Sequence, residues 1–189
     1  SVGDAGGGIY TNSNPNLINV IIYANEGDGI YVTGGIPSLL GVTVSDNTAS
    51  GINLYSSYPT IDEVSVHNNH GTGIYLSNNS NIDIRNSTIT SNNSSGILTD
   101  NSNPVVTESN IINNIYGYGS GGLHNITNSN IISALNNYWG DTSGPYHPSQ
   151  NPTGLGDSVN AFVNVNPWLT TPNTEAPPIP AQNVEITSS

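Results

Sequence analysis

A Gly-Ile or Gly-Leu pair recurs along this chain at Gly8, Gly29, Gly51, Gly73, Gly96 and Gly122. The spacings are 21, 22, 22, 23 and 26 residues. Such a period rules out most globular architectures, because each unit can bury its apolar face only against the units beside it. The clearest copy is Gly73 to Asn92, GIYLSNNSNIDIRNSTITSN. Within each copy the apolar residues alternate in runs of three to five, broken by Gly, Pro, Asn or Ser. That is too short for helix and has the period of strand.

Each coil holds three such runs. Coil two contributes Ile30, Val32, Leu39, Val42 and Val44; coil three Ile52, Leu54, Ile61, Val64 and Val66; coil four Ile74, Leu76, Ile82, Ile84 and Ile89. Coil one, with Ile9, Leu17, Ile18, Val20 and Ile22, and coil five, with Ile97, Val105, Val106, Ile111 and Ile112, follow the same plan. Pro15, Pro37, Pro59 and Pro104 precede the second run, where an extended entry tolerates a residue without N–H. An Asn recurs after the third run, at Asn25, Asn47, Asn69, Asn92 and Asn114. It suits a left-handed turn position and can hydrogen-bond to its equivalent in the next coil. Three strands per turn predict an all-β, right-handed parallel β-helix of about six to seven coils, a rod roughly 30 Å long at about 4.8 Å per rung.

Ile126–Ser133 reads like Val106–Asn113, which makes it a last full rung. The repeat then stops and large aromatics appear. An open solenoid end exposes strand edges, so residues 136–169 are expected to form a cap built on Trp139, Gly140, Asp157 and Trp168, with one more strand through Ala161, Val163 and Val165. The solenoid with its cap then covers 1–169. Residues 170–189 have linker composition, and Asn183–Thr187 alternates like the first strand of a following domain. If ordered, such a linker should lie against its own rod or a neighbour.

The repeat and the ending Asn136-Asn137-Tyr138-Trp139-Gly140, Ser143-Gly144-Pro145, Gly156-Asp157 and Pro167-Trp168-Leu169 resemble the pectate-lyase-like superfamily of right-handed β-helix proteins, with its carbohydrate-binding and sugar-hydrolase repeats. The resemblance implies the C-terminal part of a secreted surface protein. It leaves activity open, because function resides in sites grafted on a fold. Relatives that cleave uronans use clustered Asp with an Arg or Lys base, or a Gly-His-Gly and Arg-Ile-Lys set. Against that pattern this chain offers Asn69-His70-Gly71, no Lys and one Arg. No catalytic set is recognisable. Arg85 counts to a place above Asp62, where an ion pair across rungs is expected.

Thirteen acids against one Arg give a net charge of −12. That excludes nucleic acid, whose phosphates need cations, and no apolar run is long enough for membrane insertion. The chain has no Cys, hence no disulfides, and no Met, as in a processed or excised chain. Asn, Ser, Thr and Gly in place of Lys fit export to the cell surface.

Two sets of residues suggest ligands. Tyr10, Tyr31, Asn53, Tyr75, Leu98 and His124 share one outward position, a stacking face for sugar rings or a stiffening ladder. Tyr55, Tyr58, Tyr116 and Tyr118 fall in turns. Glu26, Asp28 and Asp46 sit at one corner of adjacent coils, where hard oxygens could take Ca²⁺; otherwise no cofactor is expected. Asp141 and Asp157 suit loop hydrogen bonds, and His67, His70, His124 and His147 read as surface residues. The reading is a non-catalytic cell-surface module for binding or adhesion, to a polysaccharide or surface glycan. The alternatives are a filament or surface-layer subunit, self-associating through rod ends or tail, and a fragment of a polysaccharide lyase or hydrolase.

Overall fold

A computed structural model describes residues 7–115, 120–127 and 130–181. Rung one is β1 (Ile9–Thr11), β2 (Asn16–Ile18) and β3 (Ile21–Tyr23); rung two β4 (Ile30–Thr33), β5 (Ser38–Leu40) and β6 (Thr43–Ser45). Rung three is β7 (Ile52–Tyr55), β8 (Thr60–Asp62) and β9 (Ser65–His67); rung four β10 (Ile74–Ser77), β11 (Asp83–Arg85) and β12 (Thr88–Thr90). Rung five is β13 (Ile97–Asp100), β14 (Val105–Thr107) and β15 (Asn110–Ile112). Then β16 (Leu123–Asn125), β17 (Ile132–Ser133) and β18 (Val163–Asn164) close the stack. All pair in parallel, in a 6-stranded first sheet, a 7-stranded second and a 5-stranded third. The fold is therefore a parallel β-helix of five complete rungs plus a partial one, slightly shorter than the repeat count predicts.

The core is a set of stacked aliphatic columns. Ile30, Ile52, Ile74, Ile97 and Leu123 form one; Leu39, Ile61, Ile84 and Val106 face them from the second sheet; Val44, Val66, Ile89 and Ile111 from the third. Each is withdrawn from water, and each contacts its own type one rung away. Ile18 and Val105 are the exceptions, since strand alternation turns both outward.

Each corner carries its own polar ladder. At the third, Asn25 Nδ2 donates to Asn47 Oδ1 (2.8 Å), Asn47 to Asn69 (2.8 Å), Asn69 to Asn92 (2.9 Å) and Asn92 to Asn114 (2.9 Å). The backbone N–H of each points to the same oxygen. The left-handed conformation falls one residue earlier than the sequence suggests, at Ala24, Asp46, Asn68, Ser91 and Asn113 (φ 54–56°). The Asn itself turns its amide inward to the ladder. Ser57, Ser80 and Ser102 make a shorter ladder at the first corner, and Ser87, Ser109 and Asn137 another at the second. The repeated Gly is explained by the third ladder. A Cβ on Gly51 would sit 2.5 Å from Val66 Cγ1 and 2.8 Å from Asn69 Nδ2. No positive φ is involved there.

Around the C-terminal end, Trp139 lies fully buried over Gly122. Trp168 packs across Gly144, whose φ of +80° and lack of Cβ make room for the indole. Gly140 also holds a positive φ, beside Ile112. Here the structure corrects three expectations. Ile132–Ser133 pairs with β14 in the second sheet (Val105↔Ser133), and Tyr138 bridges to Asn110 in the third-sheet position. The likeness to Val106–Asn113 is thus displaced by one strand, because a short connection cannot deliver a whole rung. The extra strand is only Val163–Asn164, with Ala161 left exposed. His147 is buried, its Nδ1 accepting the N–H groups of Ser149 and Gln150.

Residues 172–181 lie on the rod itself. On the outward side of the third sheet Ser65, Thr88, Thr90 and Asn110 are buried. Asn173 and Pro177 bond directly to Asn110 and Thr88. The strand expected at Asn183–Thr187 lies outside the described residues.

Candidate functional site: a tyrosine-lined groove on the first sheet

Strand register places Tyr10 beside Tyr31, Tyr31 beside Asn53, Asn53 beside Tyr75, Tyr75 beside Leu98, and Leu98 beside His124. The reason is steric. The neighbouring inward residues are locked in the aliphatic columns, so every residue between them must point out. Leu98 is nonetheless covered, and the open stretch of the ladder runs from Tyr10 to Tyr75. The Tyr10 and Tyr31 rings meet edge to face, centroids 5.6 Å apart at 63°. That pair stiffens the sheet edge rather than forming a flat table.

Below it a groove of about 410 Å³ is lined by Tyr31, Asn53, Tyr55, Tyr75, Ser77, Asn78, Asp100 and Asn101. Tyr55 was read as a turn residue. It ends β7 instead, and alternation presents it 45% exposed beside the Tyr31 and Tyr75 ladder. A strand one residue longer than its neighbours in the rung carries that signal. Tyr116 and Tyr118 lie outside the described residues. Asn53 is fixed from behind: its Nδ2 donates to Asp28 Oδ2 at 2.8 Å, and Asp28 Oδ1 accepts the Ser50 N–H at 2.9 Å. Burial raises the Tyr31 phenol above its ordinary pKa, assisted by Tyr10, Asp28 and Tyr55. Its hydroxyl therefore keeps its proton near neutrality and remains a donor.

The three acids considered for Ca²⁺ are not brought together. Asp28 is committed to Ser50 and Asn53, Glu26 is exposed, and Asp46 faces a different groove beside His70 and Pro180. Among the described residues no three His, Asp or Glu converge on a common point. His67 lies on β9, half-buried, with its pKa lowered by burial and partly restored by Asp46. His124 lies on β16, its pKa likewise lowered by burial.

A larger groove, about 630 Å³, crosses the second sheet and includes Tyr58, Asp62, Asp83 and Arg85. Arg85 is in register with Asp62 but bonds to Asp83 two residues back, at 2.5 Å. Asp62 accepts from Asn86 instead. Side chains at i and i+2 share a strand face, and that contact needs no reach across a rung. This groove holds one aromatic ring against three in the first-sheet groove.

In the closing segment Asp141 accepts from the N–H and Oγ–H of Ser143, which hold its carboxyl below the usual range. Asp157 ends the Asn ladder, its Oδ2 accepting both the N–H and Nδ2–H of Asn114 at 3.0 Å. A family described as a right handed beta helix region matches residues 3–142. The chain matches no curated protein and no solved structure.

Proposed function

Because the chain belongs to the right-handed β-helix family, a rigid rod with flat polar faces, we propose that it is a non-catalytic binding module displayed outside the cell. Its ligand is a neutral polysaccharide or glycan seated in the first-sheet groove. The observation that carries this reading is the convergence of Tyr31, Tyr55 and Tyr75 with Asn53, Asn78 and Asn101 around one groove. Ring faces stack on the C–H faces of sugars, and amides and phenols bond their hydroxyls. A strand-borne site varies little in shape, so little order has to be gained on binding. The charge of −12 selects against uronans, since the chain offers one Arg to balance them.

The test is retention on a glycan array by the Tyr31→Ala/Tyr75→Ala double variant, with Tyr58→Ala on the other groove as control. Binding should fall at least about tenfold, on the order of 1.4 kcal/mol, in the double variant alone, with circular dichroism unchanged. Equal retention by the parent and the double variant would discard the groove.

A further inference from the structure

The outward face of the third sheet is a trough of small side chains. One row runs Thr43, Ser65, Thr88 and Asn110; the other Ser45, His67 and Thr90. Over rungs four and five residues 173–181 lie across the trough, with Asn173 at Asn110, Pro177 at Thr88, and Pro180 and Ala181 beside a groove that includes Thr90. Pro177, Pro178 and Pro180 have no N–H and a fixed φ, so the segment cannot join the sheet as a strand and stays extended. Recognition has to come from donors on the rod, and it does. Thr88 Oγ1 donates to Pro177 O at 2.5 Å, and Asn110 Nδ2 donates to Asn173 O at 3.0 Å.

Asn173 is the anchor. Its N–H donates to Asn110 Oδ1 (2.8 Å), so one side-chain amide grips both sides of its main chain. Its own Nδ2 donates to Glu108 O (2.6 Å) and to Asn86 Oδ1 (3.4 Å). Its Oδ1 accepts the Glu175 N–H, setting the bend that follows. Ala176 is 6% exposed, pressed where no larger side chain is needed. All of these contacts are of the kind a peptide makes with a receptor, and none depends on the covalent link at residues 170–172, which is exposed.

We propose that this trough is a binding site for an extended proline-rich peptide with an Asn at its entry. Residues 173–181 fill it from the same chain, and the same segment of a second copy can take their place. Exchange of the segment would link two rods side by side through their third sheets. The proposal is independent of the saccharide reading, which concerns another face.

The probe is a fluorescent peptide of residues 170–181, titrated into the full chain carrying Asn173→Ala, whose own segment is weakened. Saturable binding is expected, tighter than to the parent chain. It should drop at least about tenfold when the peptide carries the same change or the rod carries Asn110→Ala. Two differently tagged parent chains, mixed at high concentration, should co-purify, and Asn110→Ala should abolish this. No saturable binding to a variant with an unchanged circular dichroism spectrum overturns the proposal, as does binding indifferent to Asn173. Should Asn173→Ala unfold the chain, Pro177→Gly/Pro178→Gly loosens the segment with the anchor intact. Unfolding there too would make the segment part of the fold rather than a ligand, and end the idea.

Discussion

At the scale of the residue, the buried asparagines decide whether coils stack in one register. Asn69 uses its side chain fully: Oδ1 takes the N–H and Nδ2–H of Asn47, and Nδ2 reaches Asn92 Oδ1, Val44 O and His67 O. An unmatched buried polar group costs about 1–3 kcal/mol, and Asn69→Ala strands donors on one side and an acceptor on the other. The expected loss is about 3 kcal/mol in urea unfolding; a loss under about 0.5 kcal/mol, the size of an ordinary surface change, would contradict the ladder's role. The recurrence of Asn was visible in the sequence, and so was its partner one coil away. The Ser ladders were not. Serine occurs everywhere in this chain, and only the folded structure decides which hydroxyls meet an N–H.

The element that sets the ladder's end is the segment carrying Asp157. All the amides donate in the same direction, toward the C-terminal end, so their positive ends add up at that carboxylate, as peptide dipoles do along a helix. Burial works against this and raises the Asp157 pKa to about 6, with Asn114 and Asn113 pulling it down. A pKa raised on folding means that the native state holds the proton more tightly. The stability this gives is complete below the unfolded value near 3.8 and lost as pH rises through about 6. Asp157→Asn removes that dependence and leaves an oxygen for Asn114. The parent should therefore gain stability relative to the variant as pH falls from about 6 toward 4, read from paired denaturation curves. A constant difference would sink the assignment. His147 has the opposite sign: burial lowers its pKa, against backbone carbonyls of Val163 and His147 itself, so its contribution fades as pH drops below 6.5 in both proteins and cancels.

Across the whole molecule, stability is a sum of nearest-neighbour terms, because each rung touches only those beside it. Rungs two to five are held by a neighbour on each side, rung five by the closing segment, and rungs four and five also by the tail, through Pro177 and Asn173. Among the described residues rung one pairs with rung two alone, and its Ile9 and Leu17 are only partly buried. Amide exchange of Ile9–Tyr23 should be at least about tenfold faster than that of Ile74–Thr90, a difference of about 1.4 kcal/mol in local opening. Uniform protection along the rod would mean a single cooperative unit instead.

The sequence by itself determined the repeat, the inward columns, the Asn ladder and the register that lines up Tyr10, Tyr31, Asn53 and Tyr75. Each follows from a period, and a period is a local property that one-dimensional spacing records. Only the tertiary structure decided the rest: that Tyr55 joins the groove, that Glu26, Asp28 and Asp46 stay apart, that Arg85 bonds within its own strand, and that a proline-rich stretch with linker composition lies across Thr88 and Asn110. The tail contact rests on segments of different period or none, while Tyr55 and Arg85 turned on strand length and side-chain geometry that a period does not record. Asn173 meets Asn110 across 63 residues, and no pattern local to either one contains the other.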